Sequence, residues 1–225
     1  MALNKFHELN KAENTEILKK VKKTVVDVLD IDRYFDEMEI TEKQKEDRKA
    51  FAKRLEDKLL TVFALIEVMK ERNITPDAIF IMTQIQNAFS EVMSDEVTVS
   101  DNLANYILIK SWKLADTTVK HIEDEFYLSM DRATLIAENE TSSIFNCVDD
   151  EQAISNGCTK KTWHTIRDRK TRDWHKDVDG ETIDIDDYFE VDGEFMAYPH
   201  DINASDKNVA NCRCSVSYSW GAIWN

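Results

Sequence analysis

At 225 residues, with 42% hydrophobic and 32% charged residues, the chain is long enough for one large domain or two small ones and too apolar for a disordered chain. Its net charge of −15 excludes wrapping of DNA by the protein as a whole, which needs clustered Lys and Arg, while leaving room for a local basic patch. The N-terminal MALNKFHELNKAENTEILKK lacks the apolar core of a secretory signal, no stretch reaches the roughly 18 apolar residues of a membrane span, and four cysteines in such a chain predict free thiols in a reducing compartment.

Residues 1–130 read as helical, a bundle or an extended helical region, with only 4 Gly and 2 Pro in the whole chain to interrupt it. Leu18, Val21, Val25, Val28 and Leu29 recur at three- and four-residue steps, the spacing of one helix face. A second helix is predicted after Thr41 as N-cap, with Phe51, Leu55, Leu59, Val62, Phe63, Ile66 and Met69 as its buried face and Asn73 as its stop. A third restarts with Pro76 in its first turn and buries Ile79, Met82, Ile85, Phe89 and Val92. A fourth runs from about Asp101 through Tyr106, Ile109, Trp112, Val119 and Ile122 to Phe126. A shorter helix follows from Met130, with Gly157 as its stop.

The pattern then changes. KKTWHTI, DGETIDIDDYF, GEFMAYP and CRCSVSYSW are short, β-type or alternating runs, with Gly180 and Gly193 where turns are needed. The fold class is therefore mainly α, an N-terminal helical bundle followed by a small α+β module of short antiparallel strands over 131–225. Charge is segregated within the module: residues 160–176 hold seven Lys or Arg against two Asp, and residues 177–206 hold eleven Asp or Glu and no Lys or Arg. Arg167, Arg169, Lys170, Arg172 and Lys176 form a candidate binding surface for a protein partner or DNA, or pair with the acidic stretch.

Three kinds of chemistry are open. Cys212 and Cys214 are two apart, so on a strand both face one side, and His175 and His200 complete a set that suits tetrahedral zinc. Most zinc knuckles space their cysteines by two residues rather than one, and the reading the sequence favours is that both are small core residues on a strand's inner face. Cys158 is an alternative fourth ligand. The segment HKDVDGETIDID imitates a calcium loop but has His175 and Asp186 at its first and last places, so Asp179-Gly180 reads instead as a tight turn. Asp173, His175, His200 and Asn211 supply the residue types of a one-metal nuclease without a matching spacing. Trp163 and Trp174 flank the basic loop, as base-stacking rings or, more commonly, as its anchors to the core.

In order, DRATLIAENET, TWHTIRDRKTRDWHKDVDG, FMAYPHD and NCRC resemble the phage head morphogenesis domain, the Mu protein F-like minor head proteins of tailed bacteriophages. The matching positions are Arg132, Ala133, Ile136, Ala137, Glu140 and Thr141 on the helix, then Trp163, Asp168, Arg169, Thr171, Arg172 and His175. Asp179, Gly180, Phe189, Tyr198, Pro199, Asp201, Asn211, Cys212, Arg213 and Cys214 complete the series. His200 stands where that family usually has Gly, which removes it as a shared ligand and narrows the zinc set to His175, Cys212 and Cys214. The resemblance implies a minor capsid protein of the virion, inside the head near the portal and present in the host cytoplasm during assembly. It implies portal protein and capsid or scaffold components as partners, roles in DNA packaging or ejection, and contact with packaged DNA. Some relatives carry the module fused to toxin domains; the chain ends soon after the motif, so no such domain is expected here. No cofactor besides zinc is expected, and the chain reads as structural rather than enzymatic. The alternative is a metal-dependent hydrolase or nuclease centred on His175 and Cys212/Cys214. Arg213, on the opposite strand face from the cysteines, is expected to pair with the 177–206 acids.

Overall fold

A computed structural model of the protein describes residues 29–94 and 97–221. The amphipathic segment expected at 18–28 lies outside the described residues. The chain runs α1 (Ile31–Asp36), α2 (Glu42–Glu71), α3 (Ala78–Met93), α4 (Asp101–Lys120), a 3₁₀ turn (Glu125–Leu128) and α5 (Met130–Ser155). It continues through β1 (Lys160–His164), α6 (Asp173–Asp177), β2 (Thr182–Asp184), β3 (Phe189–Val191), β4 (Glu194–Met196), α7 (Asp206–Val209) and β5 (Ser215–Ser219). The fold is mainly helical with short antiparallel strands toward the C-terminus.

Local signals set the helix ends. Thr41 Oγ1 accepts the Gln44 amide at 3.3 Å while Gln44 Oε1 accepts the Thr41 amide at 3.1 Å, a reciprocal capping box that starts α2. The seven apolar residues expected on its buried face are all buried. Asn73 takes a left-handed φ of 55°, and the Ile74 amide returns to the Met69 carbonyl at 2.9 Å to close the helix. Gly157, at φ 74°, ends α5 in the same way, with the Cys158 amide on the Ala153 carbonyl at 3.0 Å.

Several expectations are corrected. Pro76 precedes α3 rather than lying in its first turn, because Asp77 is the N-cap and accepts the Phe80 amide at 2.7 Å. Ile79 is 64% exposed, and the inward stripe is Ile81, Ile85, Ala88, Phe89, Val92 and Met93. On α4 the buried positions are Leu103, Ile107, Ser111, Ala115 and Thr118, whereas Ile109 and Trp112 are exposed. That helix also stops at Lys120, not Phe126. Helix α5, at 26 residues, is longer than α3 and α4 rather than short.

The chain forms two compact units. One comprises, among the described residues, 53–94 and 107–136. It is wholly helical, and its motif residue Arg132 is buried with its guanidinium on the carbonyls of Tyr127 (2.6 Å) and Leu114 (3.3 Å) and on Thr118 Oγ1 (2.8 Å). Acceptors at each of these points compensate the burial of a cation.

The second unit comprises Asp30–Ala52, Val97–Tyr106 and residues 137–221. The motif segment from 137 onward is thus folded together with two stretches that precede it by up to a hundred residues. Strands β2, β1 and β5 form an antiparallel sheet in that order, with Trp163 opposite Val216. Strands β3 and β4 form a separate hairpin whose turn residues Asp192 and Gly193 both have positive φ, 50° and 76°, as a two-residue hairpin of this twist requires. Between sheet and hairpin lies a core of Trp163, Val178, Phe189, Val191, Met196, Val209, Cys212 and Cys214.

Helix α5 brings an unusual face to this unit. Glu138, Glu140, Thr141, Ser142, Ser143, Asn146 and Asp150 are all buried. Several have identified partners: Asn146 Nδ2 donates to the Pro199 carbonyl at 2.6 Å, and Glu140 accepts the Tyr106 hydroxyl. Through Asn146 the helix holds the turn at Pro199 in place.

Candidate functional site

The site builds outward from three buried side chains. Helix α6 is a five-residue turn in which His175 faces inward while Asp173 and Asp177 stay exposed. Its ring packs edge to face against Trp163 (5.7 Å) and Trp174 (6.4 Å). Cys212 follows the turn of α7, its amide on the Val209 carbonyl at 3.1 Å, and Cys214 leads directly into β5. His175 Nδ1 lies 3.5 Å from Cys212 Sγ and 3.4 Å from Cys214 Sγ. All three ligand atoms fall within 4.8 Å of one another, and the residues are 1%, 2% and 3% exposed. The narrowed set of His175, Cys212 and Cys214 is therefore brought together, and the two cysteines are at the same time members of the core.

The two thiols are not equivalent. Burial alone would raise the Cys212 thiol, yet hydrogen bonds with Cys214, His175 and His200 outweigh it and hold that thiol well below its ordinary value. Cys214 is pushed the other way, first by its hydrogen bond to Cys212 and then by burial. Cys212 is therefore the more acidic thiol of a coupled pair.

A clasp surrounds Cys212. The Tyr34 hydroxyl, from α1, donates to the Cys212 carbonyl, and His200 Nε2 lies 2.6 Å from the same oxygen. Ser142 on α5 is 3.3 Å from the Tyr34 hydroxyl. Burial drives the Tyr34 phenol far above its usual range, so it stays a donor. His200 has φ 61°, a left-handed conformation that glycine adopts without strain. It is not a fourth member of the cluster, whose mutually close ligand atoms come from His175, Cys212 and Cys214.

Arg213 points away from the sulfurs, as strand alternation predicts, but its partners are not the 177–206 acids. Its Nη2 bridges both oxygens of Asp168, at 2.8 and 2.7 Å, and its Nη1 reaches Glu37. Asp168 is positioned to receive it because its own Oδ1 accepts the amides of Lys170 and Thr171, both at 2.9 Å, as an Asx turn. Burial pushes the Asp168 carboxyl up, and its bonds to Arg213, Thr171 and the Lys170 amide outweigh this to hold it at about 2. Its folded value lies below the unfolded one, so the stabilisation is present above about pH 4 and is lost as pH falls through about 2. With 35% of the side chain exposed, screening reduces the effect to about 1 kcal/mol. Between pH 4 and 2, wild type should therefore lose about 1 kcal/mol more than Asp168→Asn in urea titrations; parallel curves for the two proteins would contradict the assignment.

The remaining motif residues form supports. Asp179 accepts the Thr165 amide at 2.7 Å and pairs with Arg167, and Gly180, at φ 82°, returns its amide to the Trp163 carbonyl at 2.8 Å. This is a turn, as expected, rather than a calcium loop. Tyr198 and Pro199 are buried, and Asp201 closes their turn by accepting the Ala197 amide at 2.7 Å. Asn211, at φ 57°, donates its amide to Asn139 Oδ1 at 2.6 Å. Trp163 is fully buried, and Trp174 donates its indole N–H to Asn208 at 2.8 Å, so both rings anchor the basic loop rather than offering a stacking face.

Of the basic residues, Arg167, Arg169 and Lys170 are exposed, while Arg172 donates to the Ala210 carbonyl at 2.6 Å and Lys176 pairs with Asp173. The nuclease-like set is not assembled: Asp173 is at the surface, Asn211 is exposed, and His200 is committed to the clasp. Cys158 belongs to a different cluster, with Ala153 and Ile185, and is not a ligand of this site. All four cysteines are free. Sequence reasoning missed Tyr34 and Glu37, which lie before the motif; the only local hint was the Asp30 cap that starts their helix, accepting the amides of Asp32 and Arg33.

Residues 109–217 match the family described as Phage Mu protein F like protein. The chain is also 32% identical over 99 residues to the NAD(+)--arginine ADP-ribosyltransferase EFV of Enterococcus faecalis, a match covering 42% of this chain. It spans only 20% of the length of that curated relative. No solved structure matches. The family segment opens within α4 and closes within β5, so it contains Arg132, the His175–Cys212–Cys214 cluster, and both Asp168 and Arg213. The similarity to the Phage Mu protein F like family thus covers residues 109–217, just under half of the chain.

Proposed function

We propose that the protein is a minor head protein of a tailed bacteriophage, which associates with the portal during head assembly and serves DNA packaging or ejection. The observation that carries this reading is the family match over residues 109–217, in which the motif residues from Ala137 onward fold into one compact unit. Its location would be the virion, inside the head; among the described residues no helix is long and apolar enough to cross a membrane.

The surface used would be the loop between β1 and α6. Arg169 and Lys170 are exposed there, and their side chains make no ion pair among the described residues, which leaves two cations for an acidic partner surface. Such contacts set register and partner choice more than affinity. Co-expression with the portal protein encoded by the same phage should give a complex that survives purification. The double charge reversal Arg169→Glu/Lys170→Glu should weaken it roughly tenfold, in line with one or two lost rim ion pairs, without changing the circular dichroism spectrum. A protein absent from purified virions by mass spectrometry, and not retained by portal, would sink the reading. If DNA is the partner of this loop instead, binding should fall steeply with salt and the reversal should flatten that slope.

Enzymatic readings have less support. A hydrolase centred on His175 would need substrate at side chains that are 1–3% exposed. The transferase activity in the name of the E. faecalis relative belongs to a protein of which this chain spans a fifth.

A further inference from the structure

We propose that His175 Nδ1, Cys212 Sγ and Cys214 Sγ bind one zinc ion, which ties helix α6 to the entry of strand β5. The inference is independent of the portal reading, since it concerns how the module is held together rather than what it docks to.

The geometry is the first support. An ion at about 2.3 Å from sulfur and about 2.0 Å from nitrogen, with tetrahedral angles, places a ligand nitrogen about 3.5 Å from each ligand sulfur. The two observed separations are 3.5 and 3.4 Å. The imidazole nitrogen thus stands at the spacing of a zinc set from both sulfurs, and all three donor atoms lie within 4.8 Å of one another. A second support is the amide of Cys214, which donates to Cys212 Sγ at 3.4 Å. A main-chain N–H aimed at a sulfur favours the charged form that ligates metal.

The third support is a deficit. His175 is 1% exposed, its Nδ1 faces only the two sulfurs, and its Nε2 has no hydrogen-bond partner. A buried imidazole served so poorly is costly as a plain core residue, where Phe or Leu would fill the space between Trp163 and Trp174. A cation on Nδ1 compensates that lone pair and both sulfurs, while the Nε2 N–H stays buried without a partner and offsets part of the gain.

The donor chemistry selects the ion. Two thiolates and an imidazole are soft to borderline ligands, and a buried site with no carboxylate in the set disfavours calcium, magnesium and manganese. Zinc takes such sets and asks for four ligands. The fourth would be a small exogenous ligand such as water, because His200 is not among the mutually close donors and Cys158 lies in another cluster.

The test uses the full-length protein expressed in zinc-supplemented medium and dialysed without chelator. Elemental analysis should find close to one zinc per folded chain. Cobalt added to the metal-stripped protein should give a sulfur-to-metal charge-transfer band, displaced by stoichiometric zinc. The Cys212→Ser/Cys214→Ser variant should lose both signals. Chelation should lower the wild-type melting temperature by on the order of 5–10 °C, reversibly on adding zinc back. Folded wild type that carries no zinc and gives no charge-transfer band with cobalt overturns the proposal, whether or not the variant folds. A charge-transfer band that persists in the double variant does so as well.

Discussion

Replacing Trp163 with alanine should destabilise the C-terminal unit by about 3–5 kcal/mol, a large share of the stability of a module this small. Trp163 is fully buried at the centre of β1, where its ring meets Phe189 at 5.2 Å and His175 at 5.7 Å. The backbone around it is equally committed: its amide donates to the Glu181 carbonyl at 3.0 Å and its carbonyl accepts from Gly180 at 2.8 Å. The alanine variant keeps those main-chain bonds and removes only the ring, so the loss reads the packing term and the cavity that it leaves. Trp163→Phe, which retains most of the apolar volume, should cost about half as much. The chain has two compact units and need not unfold in one step, so the readout should be local: hydrogen exchange at the amides of β1 and β5 under native conditions. A change below 1 kcal/mol in the alanine variant would mean that the ring is not the keystone of this core.

What was legible in the sequence follows from which forces are local. The buried face of α2, its capping box and the left-handed stops at Asn73 and Gly157 depend on residues within a few positions of one another, and each was readable. The strand segments were readable because alternation and turn glycines are local as well. Helix α4 was misread for a physical reason. Its inward stripe uses Ser111, Ala115 and Thr118, while the large apolar Ile109 and Trp112 face outward, so size of side chain pointed to the wrong face. Small residues let helices approach closely, and that signal does not register as hydrophobicity.

The candidate site was legible as a set of residues but not as a structure. Two-residue spacing fixed that Cys212 and Cys214 share a side and that Arg213 takes the other. It could not say what each side meets. Tyr34 lies 178 residues from the Cys212 carbonyl that it caps, and Glu37 lies 176 from Arg213. Neither falls within the stretch that carries the family resemblance. The expected partner of Arg213 was the nearest dense run of acids, and net charge favoured that choice. The structure prefers Asp168, because an Asx turn has already oriented its carboxylate so that both oxygens meet one guanidinium nitrogen, and that geometry needs orientation more than it needs charge density.

That preference makes Arg213 the second position where a single change should be severe. The side chain is 10% exposed and neutralises two carboxylates at once, Asp168 and Glu37, which are 35% and 29% exposed. Arg213→Met keeps the bulk of the chain but leaves Asp168 without its cation and Glu37 with Arg33 alone, and should cost about 2–3 kcal/mol. The figure lies below that of a fully buried pair because water reaches both acids. Arg213→Lys restores one charge without the fork and should recover less than half of the loss. Combining Arg213→Met with Asp168→Asn and Glu37→Gln removes the uncompensated charge together with the cation. If the argument is right, the triple variant is more stable than Arg213→Met alone, and the two converge at low pH, where the carboxylates are protonated in any case. Urea titrations at pH 7 and pH 3 separate the cases: a triple variant no better than the single one would show that Arg213 stabilises through packing of its stem rather than through its charge.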